Sequence, residues 1–179
     1  MRPPSIPAVS ETTPELEAAI ALGYARRDRD DMAPTVAYFE DLLAQHPGHP
    51  VLTYEVAGAH DTAGDEATAR GLYEEALRLG LSGEPLRRCL CQYGSTLRWL
   101  GDLEASLDVL DRARREFPAS ESVRVFRALT LQELGRGDEA LAELLAVVTD
   151  HGEVTDLGRY ATGLAGLAQW YAAGRPGDD

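Results

Sequence analysis

The sequence predicts an all-α chain: a right-handed α-solenoid of four helix-turn-helix repeats closed by a C-terminal capping helix. Three observations predict it. A pattern of large apolar, small and turn residues recurs with start-to-start spacings of 34, 37 and 34 residues. The stretch from Asp156 to Ala173 places Leu157, Tyr160, Ala161, Leu164, Leu167, Ala168 and Tyr171 on one helical stripe. Nothing in the pattern asks for a strand.

Taken in order, Pro3, Pro4, Pro7 and Pro14 punctuate a start without period, so residues 1–14 are expected to be a disordered lead ending at an N-cap near Thr13. The repeat domain is expected over 15–173, with repeats at about 16–49, 50–86, 87–120 and 121–154, and helix pairs starting near Glu15, Pro50, Pro85 and Ser120. In the first repeat, Leu22 and Gly23 form a large-small pair, Thr35 and Phe39 take the small and large sites of the second helix, and Asp28 to Asp31 make the turn. The second places Ala57, Gly64, Ala69, Tyr73 and Ala76 in the same phase. The three extra residues before the third repeat fall in Gly80 to Pro85, whose glycines and proline mark a loop.

The third repeat is the clearest. Leu90, Tyr93, Leu97 and Leu110 are its large sites, Gly94, Ser106 and Ala113 its small ones, Gly101 its turn and Pro118 its end. Small residues let two helix backbones approach, and the large ones fill the space beside them. The fourth repeat keeps Ala128, Gly135, Ala140 and Leu144, but Arg124 and Arg127 occupy sites that are usually large and apolar. Val123, Phe126, Leu131 and Leu134 offer an alternative face. The capping helix, about 155–173, covers what would otherwise be an exposed apolar end. Residues 174–179 read as a disordered tail.

These residues resemble the tetratricopeptide repeat (TPR) family, and LYEEALRLGL, LRR and QYGSTLRWLG are similar to a bacterial subgroup of short TPR proteins. The resemblance implies that the first helix of each pair lines a concave groove through repeat positions 2, 5, 9, 12 and 13. Those positions hold Ile20, Tyr24 and Arg27, then Val51, Tyr54 and Asp61, then Arg88, Cys91, Ser95, Arg98 and Trp99, then Val125, Leu129, Gln132 and Glu133. Glu55 and Gln92 stand at the edge of the stripe. Aromatic residues and arginine are enriched in binding hot spots. The candidate binding residues are therefore Tyr24, Tyr54, Glu55, Asp61, Arg88, Gln92, Ser95, Arg98 and Trp99. The competing structural reading makes the tyrosines packing residues and pairs Arg98 with Asp61 or Glu55 of the preceding repeat. Relatives that grip a C-terminal carboxylate do so with Lys and Asn at defined positions, and only Arg88 keeps a basic charge at a position where they have one.

Composition bounds the function. Hydrophobic residues are 44% of the chain and no apolar run nears the roughly 20 residues of a membrane span, so a soluble protein without membrane partners is expected. No apolar segment of signal-peptide type opens the chain, which points to a cytoplasmic location. A net charge of -13 argues against nucleic acid. All seventeen basic residues are arginine, which coding bias explains. Cys89 and Cys91 lie two apart on a helix and are expected as reduced, half-buried thiols. His46 and His49 form HPGH without the third ligand zinc requires, and neither His60 nor Ser95 belongs to a catalytic pattern. The expectation is a non-enzymatic scaffold with no metal and no cofactor, binding a protein or peptide in its groove. The alternatives are self-association as a homodimer, for which Trp170 speaks, or a small-ligand regulator.

Overall fold

The computed structural model describes residues 12–150 and 161–173, and among them there are helices and no strand. In order they are α1 (Pro14–Ala25), α2 (Ala33–Gln45), α3 (Pro50–Thr62), α4 (Glu66–Arg78), α5 (Gly83–Trp99), α6 (Leu103–Glu116), α7 (Glu121–Glu133), α8 (Gly137–Asp150) and α9 (Ala161–Ala172). The first eight form four helix-turn-helix pairs, and the fold is the all-α repeat architecture that the spacing predicts.

Local chemistry sets the helix ends. Thr13 accepts a hydrogen bond from the Leu16 amide, Asp65 from Thr68 and Ser120 from Val123, and each such cap satisfies a donor of the first turn. At the C-terminus of α5, Gly101 takes φ 78°, its amide reaches the Arg98 carbonyl and the Asp102 amide reaches Leu97. This paired closure needs a left-handed residue, which glycine adopts without a Cβ penalty. It turns the chain directly into α6.

The segment Gly80 to Pro85 departs from the expected loop. Helix α5 already begins at Gly83 and runs 17 residues, so the surplus of the 37-residue spacing becomes an added helical turn. Pro85 is tolerated there because first-turn amides have no intrahelical acceptor to lose.

Packing divides the chain into two compact units at Cys89/Leu90, inside α5. In the first unit, Met32, Phe39, Val56 and Ala59 form a buried core, joined by Ile20, Val36, Tyr38, Leu43 and Leu72. Gly23 has no room for a side chain, since a Cβ would stand 2.6 Å from Phe39 Cζ. Its large partner Leu22 is exposed rather than packed. In the second unit, Leu107, Ala128, Leu131 and Ala140 form the core with Leu134 beside them. Ser106 lies at a crossing, its Oγ donating to the Gly94 carbonyl at 2.7 Å and lying 2.9 Å from Thr130 Oγ1. Cys89 and Cys91 form no disulfide, and both are buried rather than half-buried.

The two arginines that break the fourth repeat's pattern have a packing role. Arg127 bonds Asp111 of α6 at 2.6 Å and Glu143 of α8 at 3.1 Å. Arg124 bonds Glu143 at 3.2 Å and Asp150 at 2.5 Å. Burial opposes the Arg124 charge, but its bonds to Asp150 and Glu143 outweigh that and hold it above its ordinary value. At these two positions polar pairing stands where apolar contact was expected, beside the apolar core that α6, α7 and α8 share. Helix α9 packs on α8, with Ala168 buried as the stripe requires and Leu167 exposed against expectation. Leu157 and Tyr160 lie outside the described residues, as do the side chains of Ala161, Leu164 and Trp170.

Candidate functional site

The candidate residues fall into two clusters, one in each unit. In the first, Tyr24 on the last turn of α1 donates its hydroxyl hydrogen to Glu55 Oε2 on α3. Arg27, two residues beyond α1, lays its guanidinium 5.2 Å from the Tyr24 ring centroid. The same ring tilts against Phe39 at 5.6 Å, which fixes its plane.

Glu55 is the unusual member. It is 5% exposed, and among the described residues it forms no ion pair and accepts no hydrogen bond besides that of Tyr24. Burial pushes its carboxyl up to about 7, while the Tyr24 hydroxyl and the charges of Arg88 and Arg27 pull it back. Burial, aided by the Glu55 charge, raises the Tyr24 and Tyr54 phenols above their ordinary value. Both stay neutral donors at physiological pH. Tyr54 itself is 3% exposed and packs 6.3 Å from the Tyr73 ring, so it walls the cluster and presents no surface of its own.

The expected pairing of Arg98 with the preceding repeat's acids is replaced. Asp61 accepts from the Tyr73 hydroxyl at 3.3 Å, and Arg88 donates to Glu84 on its own helix at 3.1 Å. Arg98 donates instead to Glu133 of α7, one repeat later. Its Nε is buried and has no hydrogen-bond partner among the described residues.

That guanidinium also lies 5.0 Å from the centroid of Trp99, whose side chain projects into solvent at 70% exposure. Leu129 on α7 is also exposed. The second cluster is therefore an indole over an ion pair, a solvent-facing apolar surface with a fixed charge beneath it. Gln92 and Ser95 are half-buried on α5, and the Gln92 carbonyl accepts from Thr96 at 3.0 Å. Arg27, Leu129 and Glu133 stood on the sequence stripe but outside the chosen set. Looking one repeat forward from Arg98, as well as one back, would have found Glu133.

An open cavity of ≈ 320 Å³ lies among Arg114, Arg124, Arg127, Glu143 and the Ala168–Ala172 face of α9. Its arginines are the ones bonded to Asp111, Glu143 and Asp150, which makes it part of the packing between helices. Among the described residues no three His, Cys, Asp or Glu side chains gather as a metal site. No described helix is long and apolar enough to cross a membrane.

Paired helices that cross at small residues define a helical-repeat protein. A family model described as a tetratrico peptide repeat matches residues 50–169, and the chain belongs to that family. Its fold is similar to that of YrrB, described as a TPR protein with an unusual peptide-binding site, at 20% identity and TM-score 0.62, covering 93% of this chain and 80% of that one. It is also similar to MamA from Desulfovibrio magneticus RS-1, residues 41 to the end, at 13% identity and TM-score 0.62, covering 93% and 99%. A MamA RS-1 double mutant gives 13% identity and TM-score 0.62, covering 94% and 100%. No curated protein matches the sequence.

Proposed function

We propose that the chain is a non-enzymatic interaction scaffold that holds an extended segment of a partner protein against its first helices. Trp99 carries this reading. An indole 70% exposed loses apolar surface to water that a partner would cover, and the cation-π contact with Arg98 beneath holds it in one pose. The peptide-binding site attributed to YrrB, a protein of similar fold, supports the same class of activity.

Selection from a displayed library of short peptides tests it. Wild-type protein is expected to enrich a common motif, and Trp99→Ala to weaken the enriched peptides by about 1 to 3 kcal/mol with helical content unchanged. Equal enrichment by both proteins would remove Trp99 from the site. A second reading, self-association, is favoured by Leu144 and Val148, four apart on α8, and by Leu167 on α9, all exposed. Light scattering separates the two, since only the second requires twice the chain mass.

A further inference from the structure

We propose that Glu55 receives a cationic side chain, a lysine ammonium or an arginine guanidinium, from the partner polypeptide. The inference rests on the scaffold reading and adds the chemistry of one anchor residue.

A carboxylate taken out of water is costly unless paired with a cation and fully hydrogen-bonded. Glu55 is 5% exposed, yet it bonds one neutral phenol and forms no ion pair among the described residues. The two guanidiniums nearby do not supply the pair. Arg88 is held by Glu84, and Arg27 lies over the Tyr24 ring. What the site lacks is a strong donor.

Its walls suit a cation. Tyr24, half-exposed, joins Glu55 to the surface, and the contact with Arg27 shows that its ring accepts a guanidinium. The chain's net charge of -13 attracts basic segments at long range. An anionic ligand would meet an acid with no bonded counter-ion, so the arrangement disfavours it.

The same geometry links capture to pH. The charged and titratable groups around Glu55 are Tyr24 and Arg27 from the α1 side, Tyr54 on α3 and Arg88 on α5, with Tyr73 and Cys89 beyond Tyr54. Of the groups facing the carboxylate, the phenols are held neutral by burial. With its carboxyl at about 7, Glu55 must lose a proton to pair with an incoming cation. Capture is thus expected to strengthen about tenfold between pH 6 and pH 8, where Lys and Arg keep their charge.

An array of immobilised decapeptides, randomised except for one position fixed as Lys, Arg, norleucine or Glu, tests this with labelled wild-type protein and Glu55→Gln. Gln nearly preserves shape and can still accept from Tyr24, and circular dichroism checks its fold. The expected result is a Lys and Arg preference in wild type, strengthening with pH, that falls to the norleucine level and loses its pH dependence in Glu55→Gln. Trp99-dependent capture without that preference, or a preference that survives Glu55→Gln, would overturn the inference and leave the scaffold reading standing. No wild-type capture at any fixed residue would overturn both.

Discussion

Replacing Gly94 with valine is expected to cost about 3 kcal/mol and to lower the thermal midpoint by roughly 6 to 12 °C. A Cβ built on Gly94 falls 2.5 Å from Leu110 Cγ and 2.8 Å from its Cδ2, and Leu110 is fully buried. The α5–α6 crossing therefore has to open. Separation also stretches the 2.7 Å bond from Ser106 Oγ to the Gly94 carbonyl. A better helix former at this site returns less than 1 kcal/mol, so overpacking wins. Thermal unfolding checks it, and an unchanged midpoint would show that this crossing does not rely on close approach.

Glu55→Gln is expected to act in the opposite direction, stabilising the chain near pH 8 by about 2 to 3 kcal/mol, or roughly 5 to 10 °C. The folded carboxyl is raised from 4.5 to about 7 by burial. Below pH 4.5 both folded and unfolded forms hold the proton and the burial penalty is absent. As pH climbs from there to 7, the unfolded chain ionises while the folded one retains its proton, so wild-type stability falls. Above 7 the loss is complete. The variant does not titrate at this position, so its advantage should vanish near pH 4 and be full near pH 8. Melting curves across that range check it, and a Glu55→Gln protein less stable than wild type at pH 8 would mean the acid is paired in solution. A residue that costs stability and serves capture would be an ordinary exchange of stability for function.

The architecture was legible because a repeat writes its packing into its spacing. Gly94, Ser106, Leu110 and Ala113 could be placed from position alone, as each type is dictated by one helix crossing. The helical start at Gly83 was not, because Gly-Glu-Pro fits a loop and a first helical turn equally well, and only the packing of α5 decides. For the candidate site, repeat position gives the direction a side chain leaves its helix but not what covers it. Tyr54 and Trp99 were read alike as groove aromatics, yet one is 3% and the other 70% exposed. The difference lies in neighbours: Tyr73 packs against the first ring, while Trp99 sits at the last residue of α5. Arg98 was assigned to acids one repeat earlier because opposite charges at matching positions look like partners. Asp61 is met by the Tyr73 hydroxyl, and Glu133 of the following repeat takes the guanidinium.

The central claim, that a partner segment lies against the first helices, is tested most directly by heteronuclear NMR of the chain with a peptide recovered from selection. Chemical shifts should change on α1, α3, α5 and α7, with the Trp99 indole N–H among the largest. Changes concentrated on α2, α4, α6 and α8, with the Trp99 indole unmoved at saturation, would contradict it.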